Sequence, residues 1–223
     1  MPDRPVISMV HTVTALPSVF TALAAELLPR EIELRHIVDD SLLSVARAEG
    51  GVRTGTARRL LQHVWSAADG GADVVLVTCS SLGQAVEQTR PFSGVPVLRI
   101  DEQMAGEAVR RGPRIGVIAT LGTTLAPTAD LIRRKADQAG SSIELVETLC
   151  DGAFDAAVRG DLAAHDAVVR DALGELIPRC DVIVLAQASM NRIVAELGEA
   201  PRIPVLTSPR SALEALASRL LQS

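Results

Sequence analysis

Cys79 is the one cysteine of the chain that stands where a thiol can do chemistry. It follows the apolar run 74–78 and precedes two hydroxyl residues, Ser80 and Ser81, and then a helical stretch. A thiol at such a strand-to-helix turn lies beside free N–H groups and the positive end of the helix dipole, which favour thiolate. The same amides, with Ser80 and Ser81, form a seat for a carboxylate. A second hydroxyl-rich stretch follows the apolar run 114–118. Its Thr120, Thr123 and Thr124 surround Gly122, which lets backbone approach a ligand closely, and they read as contacts to a carboxylate or phosphate. His11 and Thr12 close the run 6–10 and read as the mates of that loop. Gln187, Ala188 and Ser189 follow the run 182–186.

The other candidates have bland readings. Cys150 and Cys180 have no nearby histidine or matching thiol and read as small buried hydrophobes. His36, His63 and His165 show no ligand spacing, so no metal site is expected. Asp39, Asp40 and Asp151 read as caps of the helices that follow them. Asp73 and Asp181 precede apolar runs and read as turn formers. No Gly-rich dinucleotide loop, phosphate-binding P-loop or nucleophile-elbow motif occurs, which removes nicotinamide, ATP and α/β-hydrolase chemistry.

The elements that position these residues come in two copies. Pro5 to Thr14 matches Pro113 to Gly122, Asp73 to Leu82 matches Asp181 to Met190, and Val95 to Leu98 matches Ile203 to Leu206, all at an offset of 108. Each half holds four apolar runs of β character: 6–10, 32–37, 74–78 and 95–98, then 114–118, 142–147, 182–186 and 203–206. The runs are continuous rather than alternating, as in parallel strands covered on both faces. Helical stretches at 17–28, 54–68, 84–90, 104–111, 129–140 and 156–177 separate them. The spacing predicts an α/β protein of two pseudosymmetric domains with mostly parallel four-stranded sheets. The first domain takes residues 1–98 plus 207–223 and the second 99–206. Ligands of open α/β sheets bind beyond the carboxyl ends of the strands, where the chemical residues fall, so the active site is expected between the halves.

Composition narrows the partners. The 223 residues carry net charge −5 and 2% aromatics, without the basic stripe and stacking rings of a nucleic-acid binder. All but one of the 22 basic residues are arginine, the exception being Lys135, which disfavours Schiff-base chemistry. An odd number of cysteines at long spacings fits a reducing cytoplasm. No apolar run approaches the roughly 20 residues of a membrane span, and no secretory leader is read at the N-terminus.

The stretch Val77-Thr-Cys-Ser-Ser81, with Arg114 to Thr123 and Asp181 to Met190, resembles the aspartate/glutamate/hydantoin racemase superfamily over essentially the whole chain. That superfamily includes arylmalonate decarboxylase and maleate isomerase. The resemblance implies two pseudosymmetric α/β domains with the C-terminal helix returning to the first. It further implies cofactor-free chemistry beside the carboxylate of a small organic or amino acid, with a homodimer as the expected assembly. Family racemases place one cysteine in each half, facing opposite sides of the reacting carbon. Carried over, the first is Cys79, with Ser80, Ser81, Thr123 and Thr124 as carboxylate contacts. The second motif resembles Leu-Gly-Cys-Ala-Gly-Met, but here it reads Leu185-Ala-Gln-Ala-Ser-Met190, so Gln187 replaces the second thiol. Glutamine holds an oxyanion but has no accessible proton to trade, which excludes two-thiol racemisation. Three readings remain open: single-thiol chemistry at Cys79 supported by Gln187, a catalytically silent carboxylate-binding or partner-binding member, or a racemase whose second base is His11 or Asp151. With so few aromatic residues, a small aliphatic acid is favoured as substrate.

Overall fold

The computed structural model describes residues 4–29, 31–196 and 202–220. The chain divides into two compact units, one running to Ile100 and resuming at Pro209, the other running from Asp101 to Ser208. In chain order the first unit holds β1 (Val6–His11), α1 (Leu16–Leu27), β2 (Glu33–Val38), α2 (Ser41–Ala48), α3 (Thr54–Asp69), β3 (Val74–Val77), α4 (Gly83–Thr89) and β4 (Val97–Arg99). The second holds α5 (Glu102–Arg111), β5 (Arg114–Ala119), α6 (Gly122–Gln138), β6 (Glu144–Leu149), α7 (Ala153–Val158), α8 (Leu162–Leu176), β7 (Val182–Leu185), α9 (Asn191–Glu196) and β8 (Val205–Thr207). The last helix, α10 (Ser208–Leu220), returns almost entirely to the first unit, where Arg210 pairs with Glu26 of α1.

Each unit has one all-parallel sheet of four strands, in the orders β2-β1-β3-β4 and β6-β5-β7-β8. The class is the α/β one that the repeat predicts, and the two halves share one topology. In the second unit alternate residues go to opposite faces. Ile115, Val117, Val182 and Val184 pack with α5 and α6, while Ile118, Ile183 and Leu185 pack with α7 and α8. Burial on both faces is why these strands read as continuous apolar runs rather than alternating ones. The two inert cysteines belong to that second layer: Cys150 and Cys180 are buried in the core, and desolvation with the Asp151 charge pushes the Cys150 thiol up to about 11.

Several boundaries differ from the sequence pattern, each for a physical reason. Helix α2 spans only eight residues, about two turns, too few for a helical period to stand out from the sequence. Helix α6 starts at Gly122 rather than near Ala129, because it runs through Pro127, which reads as a breaker. Thr123 and Thr124 therefore lie in the first turn of a helix and not in a loop. The predicted helix over 156–177 is two helices, parted where Gly160 takes φ 84° and Asp161 caps α8 by accepting the Ala164 N–H at 3.0 Å. Asp39 and Asp40 precede α2 without accepting a capping hydrogen bond from it through the side chain of Asp40, so the capping role expected of Asp40 is not filled.

Asp73 and Asp181 do more than form turns. Asp73 accepts the N–H of Val6 at 2.7 Å, and Asp181 the N–H of Arg114 at 2.9 Å, so each pins the start of the central strand at matched positions. In the second unit Gly112 makes room for this anchor. Its φ of 163° is ordinary extended backbone, but an added Cβ would lie 2.5 Å from Asp181 Cβ, an atom fixed to the main chain. Gly112→Ala should therefore destabilise the protein by about 1–3 kcal/mol through overpacking, read as a lowered midpoint in urea unfolding.

Candidate active site

The strand order 2-1-3-4 has a consequence for where polar groups gather. The chain leaves β1 to one side and then crosses to the other, so the crevice at the carboxyl ends of β1 and β3 is the topological switch point, where open α/β sheets take ligands. The corresponding point of the second unit lies between β5 and β7. One or two residues beyond the ends of these strands lie Thr12 and Cys79 in one unit, and Thr120 and Gln187 in the other.

At the first switch point the Cys79 sulfur takes hydrogen bonds from the Thr12 hydroxyl, the Ser81 hydroxyl and the backbone N–H groups of Ser81 and Leu82. Ser80 and Ser81 lie in the single 3-10 turn Ser80–Leu82 that leads into α4, and both are buried. This is the donor cradle expected at a strand-to-helix turn. The outcome for the thiol is nonetheless the reverse of the expectation. Part of Cys79 reaches solvent, but the sulfur is closely surrounded by protein atoms, and that desolvation raises the thiol above its ordinary value despite the four donors. At neutral pH the group is a thiol with a cradle prepared for its anion.

At the second switch point Gln187 Oε1 accepts the Thr120 N–H at 2.6 Å and the Thr120 hydroxyl at 2.9 Å. A backbone N–H can only donate, so the atom facing it is the amide oxygen, and the orientation of the amide follows from the network. The Gln187 NH2 is then left without a partner among the described residues. Backbone bonds repeat around both points. Thr78 N–H reaches Val10 C=O at 3.0 Å and Ala186 N–H reaches Ile118 C=O at 2.9 Å. Leu82 N–H reaches Cys79 C=O at 3.1 Å and Met190 N–H reaches Gln187 C=O at 3.0 Å. Ala188 and Ser189 lie in the turn Ala188–Met190; the Ser189 side chain falls outside the described residues.

Thr123 and Thr124 occupy the first turn of α6, whose N-cap Leu121 offers no side-chain acceptor. A helix start of this kind leaves backbone N–H groups without intrahelical partners. Thr123 Oγ1 is buried with no hydrogen-bond partner, while Thr124 is buried and engaged.

His11 departs from the sequence expectation of a substrate contact or base. It is fully buried, with Nδ1 2.8 Å from Thr78 Oγ1 and Nε2 2.9 Å from His36 Nδ1. Desolvation, with the neighbouring His36, lowers it to about 4. Neither nitrogen is free for a substrate. The signal missed in the sequence is that His11 ends a strand buried over its whole length, and His36, the register partner of Met9 on the neighbouring strand, reaches it diagonally.

Two ion-pair groups flank these points. Asp39 accepts from Ser41, Arg59 and His63 and ties β2 to α3; desolvation is the largest single effect on its carboxyl and raises it, but those partners together outweigh it and hold the carboxyl low. Asp166 holds Arg192, at the start of α9, against α8. The buried Arg99 guanidinium lies against Gly83 and pairs with Glu87. At the positions 108 further on, Thr207 donates to Asn191 at 2.8 Å, a small pair where the first unit has a large one. Among the described residues no cluster of three or more His, Cys, Asp or Glu has the disposition of a metal site, and no helix is long and apolar enough to cross a membrane.

Two parallel, doubly wound sheets with polar groups at both switch points define an α/β enzyme fold of duplicated halves. The Asp/Glu/Hydantoin racemase profile matches residues 6–216, and the chain belongs to that family. Solved structures agree in fold. Glutamate racemase from Francisella tularensis with D-glutamate superposes with TM-score 0.73 at 15% identity, covering 99% of this chain and 82% of that one. Allantoin racemase from Klebsiella pneumoniae gives 0.71 at 18%, covering 98% and 88%. Aspartate racemase from Picrophilus torridus gives 0.70 at 12%, covering 96% and 94%. No curated protein sequence matches the chain.

The cradle makes a prediction about the thiol. Thr12→Val keeps the side-chain volume and removes one donor to the sulfur. A hydrogen bond to a charged group contributes about 1.5–3 kcal/mol, or roughly one to two pKa units. Alkylation of Cys79 by iodoacetamide followed from pH 7 to 10 should show its inflection moved upward by about that amount.

Proposed function

We propose that this protein is a cofactor-independent enzyme, an isomerase or a decarboxylase, that transfers a proton at the carbon beside the carboxylate of a small amino or organic acid. Cys79 serves one face of that carbon, and the Gln187 NH2 and Thr123 hydroxyl hold oxygen atoms of the substrate. Ser80, Ser81, Thr12 and Thr124 complete the surroundings. The observation that carries this reading is the pair of matched contacts, Thr12 to Cys79 and Thr120 to Gln187. One position offers an exchangeable proton and the other a fixed amide donor. Kinship with glutamate, aspartate and allantoin racemases supports carboxylate- or amide-bearing substrates and chemistry at the adjacent carbon.

The raised thiol assigns the direction of transfer. A group that is protonated at pH 7 and faces four donors to its conjugate base starts as an acid. In the step that balances with these groups, CO2 leaves a malonate-type substrate and the electron pair of the broken C–C bond stays on the enediolate. Cys79 gives its proton to that carbon, and the thiolate is received by Thr12, Ser81 and Leu82 until water returns a proton to it. The Gln187 NH2 stabilises charge on the enediolate oxygen, an interaction strongest in the transition state. One thiol protonates one face, so the product has a single configuration. That favours reactions needing one enzyme-borne proton transfer, including loss of CO2 from a substituted malonate, over symmetric racemisation.

Deuterium incorporation followed by NMR across amino acids, hydantoins, malonates and maleate tests the proposal. Label should enter one face of one substrate class. Cys79→Ala should abolish it, and Gln187→Ala should lower the rate by roughly 10²–10³, the usual cost of one oxyanion donor. Because the acid form is required, activity should persist from neutrality through the ordinary thiol range and fall only as pH rises through the raised Cys79 value. Gln187→Cys should add exchange at the second face. Carboxylate binding without exchange or turnover anywhere in the panel would instead make the chain a binding protein.

A further inference from the structure

A continuous line of hydrogen bonds runs from the surface of the first unit to the residue before Cys79. Thr21 Oγ1 lies 3.1 Å from His36 Nε2, His36 Nδ1 lies 2.9 Å from His11 Nε2, and His11 Nδ1 lies 2.8 Å from Thr78 Oγ1. Thr78 in turn donates to the Val10 carbonyl at 3.1 Å. Its single hydroxyl hydrogen orders the whole line. Since Thr78 donates to Val10, its oxygen accepts from His11, and His11 carries its proton on Nδ1. His11 Nε2 is therefore an acceptor, and His36 must also carry a proton on Nδ1.

The rings are stacked, with centroids 5.1 Å apart, and Phe20 closes the other side of His11 at 5.6 Å. His11 also holds the backbone, because its carbonyl accepts the Asp39 N–H at 2.9 Å. Thr12, which donates to Cys79, is the next residue along the chain. The pair thus grips both residues that bracket the sulfur, Thr78 through its side chain and Thr12 through the backbone.

We propose that His11 and His36 are positioning residues that hold Thr12 and Thr78 on either side of Cys79, and that they do so only while His11 is neutral. The proposal rests on the reading of Cys79 as the reactive group. A first proton is accommodated without movement. It enters at His36 Nε2, which then donates to Thr21, whose own hydrogen goes to the Pro17 carbonyl at 2.8 Å. A second proton, on His11 Nε2, sets two donors and two charges face to face and breaks the line.

Other charged groups on the surrounding elements are committed elsewhere. Glu33 and Arg35 of β2 pair with each other, Glu26 of α1 pairs with Arg210, Asp39 holds Arg59 and His63, and Asp73 holds the Val6 N–H. Desolvation and the charge of its partner are what act on His11, and desolvation alone on His36. Among the described residues no carboxylate acts on the pair to rescue its doubly charged form.

The test is alkylation of the three cysteines by iodoacetamide at pH 8, located by mass spectrometry, which needs no substrate. His36→Phe keeps the ring and removes the Nδ1 donor. His36→Asn restores an N–H near the place of Nδ1. Cys79 should react several-fold slower in His36→Phe, because a displaced Thr12 no longer stabilises the thiolate, and at the wild-type rate in His36→Asn, with Cys150 and Cys180 unchanged in both. Equal Cys79 rates in all three proteins, or a parallel change at all three cysteines, would overturn the positioning role. Should His36→Phe not fold, nitrogen-15 NMR of the wild type decides. Nδ1–H tautomers on both rings at pH 7, with His36 titrating before His11, support the proposal; an Nε2–H tautomer on either ring refutes it. Inactivity across the substrate panel would count against the proposed reaction and leave these readouts standing.

Discussion

The contact on which the rest depends is a hydrogen bond from the threonine that ends the central strand to the residue that ends its neighbour. It recurs at both switch points, Thr12 to Cys79 and Thr120 to Gln187. The order 2-1-3-4 brings those two strand ends side by side with no strand between them, so the crevice opens there and nowhere else in the sheet. A threonine suits the place because its hydroxyl reaches across one strand spacing, while its β-branched body fits the pleated, buried surface behind it. What it meets decides the chemistry. Facing sulfur, the hydroxyl stabilises an anion; facing an amide, hydroxyl and backbone N–H together fasten the oxygen and turn the NH2 outward.

The thiol shows how two opposing effects are weighed. Four donors around a sulfur lower its pKa, and a strand-to-helix turn supplies them as a matter of geometry. Burial acts the other way and is the larger effect here. The result is not a failed nucleophile. A buried thiol whose anion has its hydrogen bonds ready is an acid with a prepared conjugate base, and it needs a charged substrate intermediate to draw the proton away. Ligand closure that excludes more water strengthens both sides of this balance, because the same low dielectric penalises the free anion and favours its donors.

Much of this was legible in the residues because the repeat doubled every signal. An apolar run, an aspartate before it and a hydroxyl after it mean little once; at a constant offset they mark the strands and the loops at their carboxyl ends, although the residues show Asp73 and Asp181 only as turn formers and not as the anchors they are. The offset also paired Cys79 with Gln187 before any coordinate placed them in matched contacts. What the sequence hid is where periodicity is short or where contact decides the outcome. Helix α2 has too few turns to show a stripe, and Pro127 masked the early start of α6. The inward turn of His11 depends on His36, 25 residues away and joined to it only by strand register. The raised Cys79 thiol depends on packing density, which no motif records.

The two units also differ in how the turn after the reactive position is supported. In the first, Gly83 leaves space that the buried Arg99 guanidinium fills, with Glu87 to balance its charge; in the second, Thr207 and Asn191 make a compact neutral pair. A buried arginine is costly to desolvate unless it is paired and hydrogen-bonded, so its presence beneath one turn only is a structural asymmetry of some weight. It coincides with the asymmetry of chemistry above it. The unit with Cys79 has the Arg99 cation against Gly83 at the start of α4, whereas among the described residues the unit with Gln187 has the neutral Thr207 and Asn191 at the equivalent place. A positive charge held by Glu87 contributes little net field at the sulfur, so its first effect is mechanical: it fixes the start of α4, and with it the Ser81 and Leu82 N–H groups that face Cys79. Duplicated scaffolds can thus diverge at a handful of paired positions, with the reacting group, its donor and the support below the turn changing together while the sheet stays the same.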